Sequence, residues 1–117
     1  MSSGAGAGTR LCSLADLAAT GARGVTLGVW PHARDIVIVR DGNAVRAYAN
    51  RCPHLLTTLE TRPDRFLDET AEHLVCSTYG ARFRVNDGLC VIGPCEGDRL
   101  EPVDIEVRDG EVRLADR

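Results

Sequence analysis

The chain has 117 residues, a net charge of −3 and 44% hydrophobic residues. That length supports one domain with its own core, the apolar content excludes wholesale disorder, and the mild acidity leaves no electrostatic footprint for nucleic acid. No apolar run approaches the roughly 20 residues of a membrane helix, and the start lacks the charged and apolar regions of a secretory signal.

The expectation is therefore a soluble cytoplasmic protein with no membrane partner. In a reducing compartment, five cysteines point to metal or redox chemistry before disulfides. All fourteen basic residues are arginine, which excludes a lysine Schiff base.

In chain order, residues 1–8 are small and form a flexible leader, and residues 9–117 form a single domain. Arg10-Leu11-Cys12 opens a short strand. Ser13 caps a helical turn through Ala19 that ends near Gly21. Val25 to Val29 is a short apolar run. Asp35 to Arg40 and Ala44 to Tyr48 flank Asp41-Gly42-Asn43, and β-branched residues around an Asp-Gly turn predict a hairpin. The stretch from Thr57 to Glu72 has mixed signals and reads as a loop.

Glu72 to Cys76 is a strand candidate, and Ala81 to Val85 alternates into a turn at Asn86-Asp87-Gly88. Val103 to Arg108 and Glu111 to Leu114 alternate on either side of Asp109-Gly110, the clearest hairpin in the chain. Many short strands, Asp-Gly turns and no long helical period predict an all-β fold, a small antiparallel sandwich or barrel.

Two motifs carry chemistry. Cys52-Pro53-His54 is a Cys-x-His in which the fixed backbone of proline lets both side chains face one centre. Cys76-Ser77-Thr78-Tyr79-Gly80 is a Cys-x-x-Tyr-Gly in which glycine permits a close backbone approach. Thiolate and imidazole suit iron, zinc or an iron–sulfur cluster.

Here the sequence resembles the Rieske-type iron–sulfur proteins, whose pattern is Cys-x-His followed later by Cys-x-x-His-Gly. Ala81-Arg82-Phe83, Asp87-Gly88-Leu89-Cys90, Gly93-Pro94-Cys95 and Leu100-Glu101-Pro102-Val103 are similar to the segments that follow the second motif in that family. The resemblance runs over about residues 10–114. It implies a 2Fe–2S cluster between two loops at one end of the β domain. Cys52 and Cys76 would hold the inner iron and His54 the outer one, with Gly93-Pro94 packing over them. Two neutral imidazoles in place of thiolates place such a centre at roughly −150 to +300 mV.

Tyr79 stands where the family has its second histidine. Three readings are open: a phenolate ligand to ferric iron, a substitution that leaves the cluster incomplete or labile, or a fold that has lost its cluster. His73 precedes Cys76 on the strand and is a poor substitute ligand. The positions of the extra cysteine pair found in respiratory-complex members are held by Thr57 and Thr78. The chain thus looks like the soluble ferredoxin or oxygenase-associated type. The resemblance implies an electron carrier between a reductase and an oxygenase, not a catalyst on its own, with His54 as the exit point.

Competing readings are a cluster-free binding or scaffold module, one whose Tyr79 and His54 act as acid and base, and a zinc site built on Cys52, His54 and Cys76. Cys12 reads as a passive buried thiol. Cys90 and Cys95, in an expected loop, read as packed thiols, with a disulfide or a substitute ligand pair as the sharper alternative. Trp30 reads as a packing anchor and His32 as an exposed loop residue. Arg82 and Arg84 share a strand face that reads as solvated.

Overall fold

The computed structural model describes residues 8–28, 33–42, 44–51, 66–67, 73–76, 80–93 and 96–115. Their elements are β1 (Arg10–Ser13), α1 (Leu14–Thr20), β2 (Ala22–Leu27), β3 (Arg34–Asp41), β4 (Ala44–Ala49), β5 (His73–Val75), β6 (Arg82–Arg84), β7 (Cys90–Ile92), β8 (Ile105–Arg108) and β9 (Glu111–Leu114). They form three antiparallel three-stranded sheets, ordered β1-β9-β8, β2-β3-β4 and β5-β6-β7. The all-β expectation holds, and no described helix is long and apolar enough to cross a membrane.

Strand β3 organises the interior. Its run Ile36-Val37-Ile38-Val39 is buried throughout. Successive side chains of a strand point to opposite faces, and here both faces are covered. Val37 and Val39 join Ala22, Tyr48, Phe66, Leu74, Cys76, Ala81, Phe83, Cys90 and Leu100 in one cluster. Ile36 and Ile38 join Leu11, Cys12, Leu17, Leu27, Ala47, Val112 and Leu114 in the other. The β2-β3-β4 sheet is thus shared by two cores. One faces the β5-β6-β7 sheet, and the other faces α1 and the β1-β9-β8 sheet.

Helix α1 forms as its flanks dictate. The Ser13 hydroxyl accepts from the Asp16 N–H and the Asp16 carboxylate accepts from the Ser13 N–H, both at 3.0 Å. This closed capping box satisfies two of the donors left over at a helix start. At the other end Gly21 adopts the left-handed conformation, and its N–H donates to the Leu17 carbonyl.

Four details depart from expectation. Strand β2 begins at Ala22, ahead of the apolar run, because its whole length pairs with β3 from Ala22↔Val39 to Leu27↔Arg34. Cys90 lies on a strand, β7, rather than in a loop, and pairs with Phe83 across a bulged register. Phe66, in the stretch read as a loop, is 1% exposed and belongs to the core. Gly8, assigned to the leader, already donates its N–H to the Leu114 carbonyl.

Candidate metal centre

The first motif follows β4. The described chain leaves that strand through Asn50, which is buried and whose N–H donates to the Asp35 carbonyl at 2.8 Å. Arg51 donates its N–H back to the Ala49 carbonyl, which turns the chain sharply before position 52. Cys52 and His54 themselves lie outside the described residues. Asn50 is a buried polar anchor at the mouth of this motif that sequence reasoning missed. Its only signal was an amide residue between a strand and a cysteine motif.

The second motif follows β5, and here the thiol is in view. Strand β5 is held on one side by β6, in the register Leu74↔Phe83 and Val75↔Arg82. On the other side the Val75 N–H donates to the Phe66 carbonyl, and Leu67 bridges Leu74. Cys76 therefore emerges from a strand fixed on both edges. It is fully buried, outside any disulfide, and its wall includes Phe66, Leu74, Ala81 and Phe83.

The backbone around Cys76 is tied twice. Its N–H donates to the Ala81 carbonyl at 2.8 Å, and its carbonyl accepts from the Gly80 N–H at 2.7 Å. Gly80 has φ of 72°, a conformation L side chains rarely adopt. Among the described residues beyond its chain neighbours, no atom lies within 4 Å of where its Cβ would stand, and the backbone conformation itself calls for the glycine. Tyr79 lies outside the described residues.

The third segment follows β7. A Cβ on Gly93 would stand 2.7 Å from the Ala81 Cα, closer than real contacts allow, and φ there is 111°. The backbone after β7 is thereby seated on the residue that receives the Cys76 hydrogen bond. Gly93 thus rests against the residue that follows the second motif; Pro94 and Cys95 lie outside the described residues.

The two other described thiols, Cys12 and Cys90, are packed in the cores. Cys12 is 1% exposed, and burial, with Asp16 adding to it, pushes its thiol pKa up, which keeps it protonated and unreactive. Cys90 is buried in the same cluster as Cys76 and donates its S–H to the Ile92 carbonyl. Arg84 pairs with Asp87 inside the β6–β7 turn. His73 stands opposite Arg84. Trp30 and His32 lie outside the described residues.

The donor chemistry fits an iron–sulfur centre at Cys76. A thiol with no water contact, walled by apolar side chains and placed at a rigid strand end, is the kind of ligand whose burial and hydrogen bonding tune such a cluster.

Comparison with known proteins agrees with this geometry. The family model described as the Rieske [2Fe-2S] domain matches residues 9–108. No curated protein matches the chain. Among solved structures, the ferredoxin of carbazole 1,9a-dioxygenase from Nocardioides aromaticivorans IC177 is similar at TM-score 0.72 and 22% identity, covering 95% of this chain and 99% of that one. A complex of reduced oxygenase and oxidised ferredoxin in carbazole 1,9a-dioxygenase is similar at TM-score 0.70 and 25% identity, covering 91% and 90%. The Sphingomonas yanoikuyae B1 ferredoxin gives TM-score 0.70 at 18% identity, covering 94% and 99%.

Proposed function

Because the chain belongs to the Rieske [2Fe-2S] domain family, we propose that it carries single electrons from a reductase to an oxygenase. Its ligands are Cys52 and Cys76 on one iron and His54 and Tyr79 on the other. The observation that carries this reading is the burial of Cys76 at the end of β5, braced by hydrogen bonds from both neighbouring segments. The similarity to ferredoxins of oxygenase systems, one of them in complex with its oxygenase, supports the choice of partner.

A bound 2Fe–2S cluster supplies reversible one-electron oxidation and reduction. The protein's part is to hold and tune it. Cys76 presents its thiolate from an apolar wall that excludes water. The N–H of Gly80, the residue following Tyr79, ties the chain back to the Cys76 carbonyl. A phenolate at Tyr79 adds negative charge where the family pattern has a neutral imidazole, favours ferric iron, and sets the potential below that of a two-histidine centre.

Anaerobic purification tests this directly. The expected protein is coloured, contains about two irons and two acid-labile sulfides per chain, and gives an electron-spin resonance signal when reduced. A colourless, iron-free protein overturns the carrier function. Tyr79→His is expected to raise the potential and to remove any phenolate-to-iron absorption. An unchanged potential and spectrum would place Tyr79 outside the ligand set.

A further inference from the structure

Among the described residues, Asn50 is the one buried residue that carries an amide or charged side chain; it is 6% exposed. Burying an amide costs free energy that an apolar side chain of the same size does not, unless its polar atoms are hydrogen-bonded. No buried side-chain nitrogen or oxygen among the described residues lacks a partner, and Asn50 is not an orphaned amide. A polar group therefore stands, engaged, where an apolar residue would fill the same space at lower cost.

The place of Asn50 gives that amide a use. Strand β4 is held on both edges at its end. Ala49 pairs with Ile36 on one side and donates its N–H to the Glu101 carbonyl at 2.8 Å on the other. The Asn50 N–H extends the pairing by one residue, to the Asp35 carbonyl, and the Arg51 N–H turns back to the Ala49 carbonyl at 2.9 Å. Asn50 is thus the last described residue paired across the sheet before Cys52-Pro53-His54. Two peptide links put the Cys52 Cα within about 7.6 Å of the Asn50 Cα. An asparagine side-chain oxygen is suited to accept the backbone N–H two residues on, and that residue is Cys52. The second motif is braced by backbone, at the Cys76 and Gly80 N–H groups; the first is entered through a buried polar side chain.

Resting on the carrier reading above, we propose that Asn50 is the positioning residue of the first ligand segment. Its buried side-chain oxygen fixes the direction in which the chain leaves β4, and so holds Cys52 and His54 toward the cluster. It acts through these ligands rather than on the metal, as groups that orient the ligands of a metal site do.

The test is the rate at which an iron chelator bleaches the visible absorption of the oxidised, cluster-loaded protein. It is read beside the electron-spin resonance signal of the reduced protein. Asn50→Leu keeps the size and removes the polar atoms. It should lose its cluster about tenfold faster, the scale on which supporting groups hold a metal site, and its resonance signal should shift. Asn50→Ser keeps a neutral oxygen acceptor that serves the same turn more weakly, so its rate should fall between the two. Tyr48→Phe is the control for stability. It removes a buried hydrogen bond from the same strand, to the Val85 carbonyl, and should leave rate and signal unchanged.

Three results would each overturn the proposal: an Asn50→Leu rate and signal equal to those of the unsubstituted protein, Asn50→Ser losing its cluster as fast as Asn50→Leu, or equal acceleration by Tyr48→Phe. If Asn50→Leu does not fold, Asn50→Ser decides: a faster rate with a shifted signal supports the role, and an unchanged rate removes it. An unsubstituted protein that takes up no iron would instead overturn the carrier reading on which the proposal rests.

Discussion

At the residue scale, Tyr48 shows how one side chain joins two parts of the molecule. It sits on β4, is 3% exposed, and its phenol donates to the Val85 carbonyl at 2.7 Å, in the turn after β6. Burial pushes its pKa up to about 12, with the nearby Arg46 only partly opposing. Tyr48→Phe leaves the Val85 carbonyl without this donor and should cost about 1 kcal/mol. The same raised pKa predicts alkaline behaviour. The native state favours the neutral phenol, so its contribution is complete below the ordinary pKa of 10 and is lost as pH rises through about 12. Denaturant midpoints across that range should fall for the native sequence and fall less for Tyr48→Phe. The tyrosine that draws the eye in the sequence is Tyr79; the role of Tyr48 becomes visible only when β4 and the 85–88 turn meet.

At the element scale, local signals succeeded where a short segment controls its own shape. Ser13, Asp16 and Gly21 define α1 from within nine residues, and the structure places the cap and the stop at those positions. Ser13→Ala removes the cap acceptor for the Asp16 N–H and should destabilise the fold by about 1 kcal/mol, read as a lower urea midpoint at unchanged slope. The hairpins β3–β4 and β8–β9 were legible for the same reason, since Asp-Gly turns set their registers. Strand β7 was not legible. Its three residues carry no alternation of their own, and only Phe83 and Arg82 across the sheet give it a pairing. Phe66 was lost in the same way, because its burial depends on Leu74 and Val75, residues distant in sequence.

At the scale of the whole molecule, three carboxylates among the described residues are held below their ordinary pKa in separate places. Asp87 is lowered to about 2, first by its hydrogen bond to Arg84 and then by the Leu89 N–H. Glu111 is lowered by Arg10 and Arg113, across the β1–β9 pair and along β9. Asp16 is lowered chiefly by the Ser13 N–H. Each native state favours the ionised form, so the contribution is complete above the ordinary carboxylate pKa and is lost as pH falls through the depressed value. Stability is expected to decline between about pH 4 and pH 2. Asp87→Asn should flatten part of that decline in denaturant titrations at successive pH values. These groups are exposed, so the effect should also shrink at high salt.

The sequence alone determined the fold class, the helix cap, two hairpins and the resemblance carried by Cys52-Pro53-His54 and Cys76-Ser77-Thr78-Tyr79-Gly80, because each of these is written in a few adjacent residues. The sequence also holds the unbroken run Ile36-Val37-Ile38-Val39, read there only as one arm of a hairpin. Only the tertiary structure decided what that run divides: Val37 and Val39 from Ile36 and Ile38, one core from the other. It likewise decided that Cys76 is sealed among Phe66, Leu74, Ala81 and Phe83, that Gly93 must rest on Ala81, and that Ile92 stays in water beside them. Burial and close approach are sums over residues far apart in the chain, and no local pattern carries that sum.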